Sequence, residues 1–178
     1  MLRVPDTPLA LRKFEPEDVE ALWMMRNDPL VTAGLGGFST GYSRRDLMDW
    51  IESHRARRDE LLLAIVDTDE QICIGHVGLY QIDHRSQKAE FAILIGSESH
   101  QGRGLGERVT RFAIAYGFDR LNLNKISLTA LSTNERAIRL YEKLGFRTDG
   151  VARQDEWRDG KFVDVALMSL LREEWTRP

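Results

Sequence analysis

The stretch Gln101-Gly102-Arg103-Gly104-Leu105-Gly106 constrains this chain more than any other. It follows the apolar run Phe91-Ala92-Ile93-Leu94-Ile95 and leads into an amphipathic run from Glu107 to Tyr116. That order reads as strand, glycine-rich loop, helix. A helix start carries unpaired N–H groups and a partial positive charge. Glycines let a phosphate approach those groups closely. The loop is therefore a candidate diphosphate cradle, with Arg103 and Arg108 as nearby cations. The dinucleotide fingerprint G-x-G-x-x-G fails, because the glycines fall at 102, 104 and 106 and position 109 is Val. The G-K-[ST] of a P-loop is also absent. What remains is Q-x-x-G-x-G, a pattern that taken alone also suits a plain tight turn.

A second segment lies downstream: Ser132-Thr133-Asn134-Glu135-Arg136-Ala137, continuing through Leu140-Tyr141 to Leu144-Gly145-Phe146. Together, in this order, the two motifs resemble the GNAT superfamily of acetyl-CoA-dependent N-acetyltransferases. The resemblance runs from the strand near Leu9 to the strand ending near Leu171. It looks most like the branch of ribosomal-protein N-terminal and spermidine N-acetyltransferases. It implies an α/β GNAT fold, with a mixed, mostly antiparallel central sheet flanked by helices and splayed at the acetyl-CoA site. It implies that Gln101, Gly102, Arg103, Gly104, Leu105 and Gly106 hold the diphosphate of acetyl-CoA. It gives Asn134 to the pantetheine arm, beside backbone groups of Ile93, Leu94 and Ile95. It makes Tyr141 the acid that protonates the leaving thiolate.

Composition is that of an ordinary globular domain, with 42% hydrophobic and 30% charged residues. The 178 residues suffice for one domain with a real core, and residues 1–178 read as a single unit. No apolar run approaches membrane-spanning length and the first residues show no signal-peptide core, so a cytoplasmic protein without a membrane partner is expected. A net charge of −3 argues against general nucleic-acid binding. The arginines at 55, 57 and 58 read as a solvated helix face. The single cysteine, Cys73, reads as a small buried apolar residue.

Along the chain, Leu9–Phe14 alternates as a strand, and Glu15-Pro16-Glu17-Asp18 starts a helix that ends at Asp28-Pro29. Thr32 to Gly41 holds four glycines and reads as a mobile loop. Ser43 caps a second helix, with Asp46 near its start. In the resembling family these two helices and the loop border the acceptor pocket. Residues 61–66, 72–82 and 89–95 read as a three-stranded meander with turns at Asp67–Glu70 and Asp83–Ser86. Gly75 and Gly78 suggest close backbone approach or a bulge. A strand at 125–131, a helix at 134–144 stopped by Gly145, and a closing hairpin with Asp159-Gly160 at its tip complete the domain.

Amide formation from a thioester needs a neutral amine, a stabilised oxyanion and a departing thiolate. Tyr141 is the acid candidate, since a phenol with pKa near 10 is protonated at neutral pH. Glu90 is the base candidate. It begins the strand that runs into the glycine loop and shares a face with Ala92 and Leu94. A plain ion pair with Lys88 or Arg85 competes with that role, and ordered water is an alternative base. Asn134 suits both a helix N-cap and a pantetheine contact. His76 reads as a structural histidine. No pair of histidines has metal-ligand spacing, so no metal is expected.

The acceptor stays open between a small-molecule amine or protein N-terminus, a polyamine, and a nucleotide-linked amino sugar. Polyamine sites need carboxylates, and Thr32 to Tyr42 contains none. A non-catalytic CoA-binding regulator is the alternative from another class. A homodimer is compatible with all of these.

Overall fold

A computed structural model describes residues 1–36, 40–96, 100 and 104–176. Eight strands form one sheet: β1 (Leu2–Arg3), β2 (Leu9–Arg12), β3 (Leu61–Asp67), β4 (Ile72–Asp83), β5 (Lys88–Ile95), β6 (Lys125–Leu131), β7 (Arg147–Arg158) and β8 (Lys161–Leu171). Their order in space is β1-β2-β3-β4-β5-β6-β8-β7. The helices are α1 (Asp18–Asn27), α2 (Pro29–Thr32), α3 (Arg44–Arg55), α4 (Leu105–Arg120) and α5 (Glu135–Lys143). This is the mixed, mostly antiparallel α/β sheet expected from the sequence. Among the described residues no helix is long and apolar enough to cross a membrane.

Every neighbouring pair is antiparallel except β5 with β6. Those two pair only at Lys88↔Lys125, Ala89↔Ile126 and Glu90↔Ser127. Beyond this point β5 stays on β4 as far as Ile95, and β6 stays on β8 as far as Leu131. The sheet therefore opens like a V whose apex is Glu90–Ser127, which is the expected splay after the meander.

Strand alternation sends side chains to two cores. Phe91 joins the core under α4 and α5, with Val109, Ile114 and Leu144, and Ile93 packs against it. Leu94 joins a second core under α1 and α3, with Leu22, Met25 and Leu47. Hence the two faces of β5 look at different helices. Cys73 is buried in the second core, as read, and burial pushes its thiol up to about 12.

Local chemistry explains most element ends. Ser43 and Asp46 form the capping box of α3. Asn134 caps α5 through Ala137 N–H at 3.1 Å. Gly145 (φ +97) then turns the chain out of that helix. Asp159 and Gly160 both have positive φ, as a tight hairpin turn requires.

Two expectations change. Helix α1 starts at Asp18 rather than Glu15. The Asp18 carboxylate accepts the Glu15 N–H at 2.8 Å and pairs with Arg12 at 2.6 Å, so Glu15 and Pro16 stay in the entry turn. Pro29 ends α1 but opens the short α2, which Asp28 caps through Leu30 N–H. Asn27 then clasps the ends of the following segment, with its side chain bonded to Trp23 O and to the N–H and C=O of Tyr42.

Gly75 sits opposite Ile95 on β5. A Cβ at Gly75 would lie 2.0 Å from the carbonyl oxygen of Leu94 and 3.0 Å from Ile95 Cα. Gly75→Ala must therefore push β4 off the strand that borders the splay. It should lower stability by about 1–3 kcal/mol, read as a lower urea midpoint at unchanged m-value. An unchanged midpoint would show that β5 has room to yield there.

Candidate active site

The opening between β5 and β6 is a cleft of about 710 Å³. Its walls carry Glu90 to Ile95 of β5, Thr129 and Ala130 of β6, the start of α4, the inner face of α5, and residues of α2 and the segment after it. The cleft thus passes through the plane of the sheet, with α4 and α5 on one face and α2 on the other.

From Phe91 onward, the β5 edge facing β6 has no strand partner among the described residues. Its backbone groups are open to a ligand that adds like a strand. Ile93, Leu94 and Ile95 all border the cleft by this edge. The side chain of Leu94 itself points into the α1/α3 core.

Gly104, Leu105 and Gly106 border the same cleft. Gly104 has φ +72 and open space where a Cβ would stand. Leu105 anchors α4 through its buried side chain, while the first-turn N–H groups have no intrahelical acceptor. Gln101, Gly102 and Arg103 lie outside the described residues. Arg108 is engaged with Asp6 at 3.4 Å on the surface.

Glu107 also borders the cleft, and a bare carboxylate there would repel a phosphate. Lys143 binds it at 2.6 Å and Arg111 lies 3.6 Å away. The Lys143 hydrogen bond, against desolvation, holds the Glu107 carboxyl below its ordinary pKa.

Asn134 uses its amide twice. Its Oδ1 caps α5 and its Nδ2 donates to Gly34 O at 3.3 Å. The segment after α2 is therefore bonded to the residue that the sequence motif assigns to pantetheine. Of the glycine-rich stretch read as mobile, Thr32 ends α2 and Leu35 packs on the α1/α3 core. Gly37, Phe38 and Ser39 lie outside the described residues.

Tyr141 is 9% exposed and stands between Phe91 and Phe146, with ring centroids 6.3 and 5.8 Å away. It borders the cleft from the α5 side, and burial pushes its phenol up to about 12. Glu90 is half-buried at the apex, pairs in register with Tyr80, and accepts a hydrogen bond from Gln81 Nε2 at 3.4 Å. By alternation it belongs to the α1/α3 face. Among the described residues neither Lys88 nor Arg85 forms an ion pair with it, so that competing reading loses its support.

His76 does not reach the cleft lining. It lies under Trp50 and Phe14, its two ring nitrogens have no hydrogen-bond partner, and burial pulls its pKa down to about 3.

Two residues escaped the sequence reading. Arg136 is exposed, borders the cleft, and sits in the first turn of α5, where the helix dipole disfavours a cation. The acid of that turn, Glu135, is taken by Arg139 at 2.8 Å. A cation two residues after Asn134 and against the dipole was the available signal. His100 is buried at the cleft, with Nε2 3.1 Å from Asp67 Oδ2. Glu70 joins them, their ligand atoms lying within 4.8 Å of one another. The Asp67 carboxylate already accepts from the N–H groups of Asp69 and Glu70.

A splayed sheet with a glycine-led helix start, a carboxylate at its apex and a phenol bordering the cleft is the arrangement of an acyl-CoA-dependent transferase of the GNAT type. Residues 9–147 match the acetyltransferase (GNAT) domain family, and the chain belongs to it. It is 32% identical over 171 residues to the uncharacterized N-acetyltransferase p20 of Bacillus licheniformis, covering 94% of each chain. It is 31% identical over 166 residues to the spermidine N(1)-acetyltransferase of Escherichia coli K12, covering 93% of this chain and 87% of that one. The crystal structure of spermidine N-acetyltransferase from Vibrio cholerae with CoA and spermine superposes with a TM-score of 0.86 at 28% identity, over 94% of this chain and 97% of that one. The protein is an N-acetyltransferase that uses acetyl-CoA and an amine.

Gly104→Asp places a carboxylate beside the first turn of α4. Its Cβ meets nothing, and Asp tolerates positive φ better than most residues, so the fold should survive. Acetyl-CoA binding should be abolished by charge repulsion and blocked N–H groups. Calorimetry showing wild-type affinity in the folded variant would remove the loop from the cofactor site.

Proposed function

We propose that acetyl-CoA enters the V from the α4/α5 side, that the acceptor amine comes from the α1/α3 side, and that they meet at its apex. The carrying observation is that Glu90 and Tyr141 border one cleft from opposite faces of the sheet. Pantetheine lies along the open edge of β5, bonding backbone groups of Ile93 to Ile95, with Asn134 beside it. The diphosphate rests on the first turn of α4, on Gly104, Leu105 and Gly106 together with Gln101, Gly102 and Arg103.

Glu90 takes a proton from the ammonium, directly or through water. The freed nitrogen attacks the thioester carbonyl, the tetrahedral intermediate gives up its second N–H proton to water and collapses, and the carbon–sulfur bond breaks. The electron pair leaves on sulfur. No acyl-enzyme forms, because both substrates reach the apex together. The acceptor is a small-molecule primary amine or a protein N-terminus.

Tyr141 meets the leaving sulfur. A phenol near 12 stays protonated through neutral pH, so it always has a hydrogen to donate. It is a weak acid toward a thiolate of ordinary basicity, about 8.5. Desolvation in the same cleft raises the thiolate's basicity too, which narrows the gap. Tyr141→Phe keeps the ring between Phe91 and Phe146 and removes the proton. Turnover should fall by roughly ten- to a thousandfold with acetyl-CoA affinity unchanged. Turnover within about twofold of wild type would show that the hydroxyl is not the donor.

Glu90→Gln tests the base. The defect should be greatest at low pH, where the amine is mostly protonated, and should shrink as pH rises and free amine becomes abundant. A uniform loss across the pH–rate profile would assign Glu90 a structural or electrostatic role instead.

A further inference from the structure

The acceptor end of the cleft is nearly without charge. Leu30 and Val31 of α2, then Leu35, border it on the side that faces α1 and α3. Val31 and Leu35 are seated on the core beneath, whereas Leu30 is 75% exposed at the mouth. Ala92 and Leu94 supply the floor from β5, with Glu90 at its inner end. Among the described residues that border the cleft, the other carboxylates are Glu107 and none besides. Glu107 stands on α4 at the opposite end, already held by Lys143 and Arg111. Glu156 approaches Gly36 from β7, but it does not border the cleft and is itself partnered.

We infer that the acceptor is a primary amine carrying an apolar substituent and no second cation near the amine. This rests on the acetyltransferase reading above and goes beyond it to the substrate class. One ammonium beside Glu90 is a balanced pair. Once the proton has moved to the carboxylate, both the attacking amine and the amide product are neutral in an apolar trough. A polyamine differs. Its second and third ammonium groups would stand against Val31 and Leu35, partly stripped of water, and against Leu30 at the mouth, with no carboxylate among the described lining residues there to pair them, which is costly. An alkyl or aryl substituent loses nothing by desolvation there and gains from burial. One methylene more or less in such a trough shifts specificity roughly ten- to two-hundredfold, and an unpaired charge costs at least as much. The relatives named for spermidine share the fold and the cofactor, while the chemistry of this trough selects a different amine.

The test follows release of free coenzyme A thiol by the full chain with acetyl-CoA and three acceptors. These are phenethylamine, a short neutral peptide with an N-terminal leucine, and spermidine. kcat/KM should exceed that for spermidine at least about tenfold for one or both of the apolar amines. Preference for phenethylamine identifies a free amine as the source, and preference for the peptide identifies a protein N-terminus. Spermidine matching or beating both would overturn the inference and leave the acetyltransferase reading intact. Thiol release with none of the three, from protein that binds acetyl-CoA, would overturn both. Leu30→Asp gives a second readout at a side chain too exposed to matter for folding. It should narrow the apolar-to-spermidine ratio about tenfold with the KM for acetyl-CoA unmoved. An unchanged ratio would show that this wall does not read the acceptor.

Discussion

Among the described residues the β5–β6 pairing is the only parallel contact in the sheet, and it ends at Glu90–Ser127. Each strand continues on its other neighbour, so the gap cannot be closed by bringing the two edges together without breaking a longer antiparallel ladder. Those ladders run from Gly75 to Asp83 on one side and across all of β6 on the other. The cleft is thus a consequence of register and needs no hinge. Backbone hydrogen-bonding groups that a sheet would normally satisfy internally are left for a ligand.

The same geometry sorts the chemistry by face. Alternation along β5 places Phe91 against α4 and α5, and with it Tyr141. Leu94 goes to α1 and α3, and Glu90 with it. A one-residue slip of β5 would exchange these sets. The proposed base would then face the cofactor helices, away from the amine. The bulge on β4 beside Gly75, and the lack of a side chain there, fix that register by letting the two backbones approach closely.

How far this was legible depends on range. Gln101–Gly106 and Asn134–Phe146 are local motifs, and their order carried the family and the cofactor. The capping box at Ser43 and the turn at Asp159-Gly160 are also local. The four-residue α2 was not legible, being too short to show a period. The strand leading to the Asp159-Gly160 tip, β7, runs from Arg147 to Arg158. Irregularities at Thr148/Gly150 and Ala152/Glu156 break its alternation. Gln71 and Gln87 adopt positive φ at the ends of the two Asp-led turns, where glycine or asparagine would be the usual signal. His100 meets Asp67 from 33 residues away, a tertiary contact with no local trace. The apolar trough needed the structure most, since Leu30 falls in sequence between the helix ending at Asp28-Pro29 and the glycine-rich stretch, with no element assigned to it.

Asn134 shows what it means for one side chain to serve two walls. An amide has one acceptor oxygen and two N–H groups. The oxygen is committed to α5, and one N–H to the carbonyl of Gly34 on the opposite wall. A ligand that takes the remaining N–H meets a group whose direction is already set by the other two bonds. Its binding and the docking of the Gly34 segment would then be thermodynamically linked, each acting on the other by the same factor. With pantetheine on Asn134 as proposed, the two walls of the cleft would be coupled through a single carboxamide.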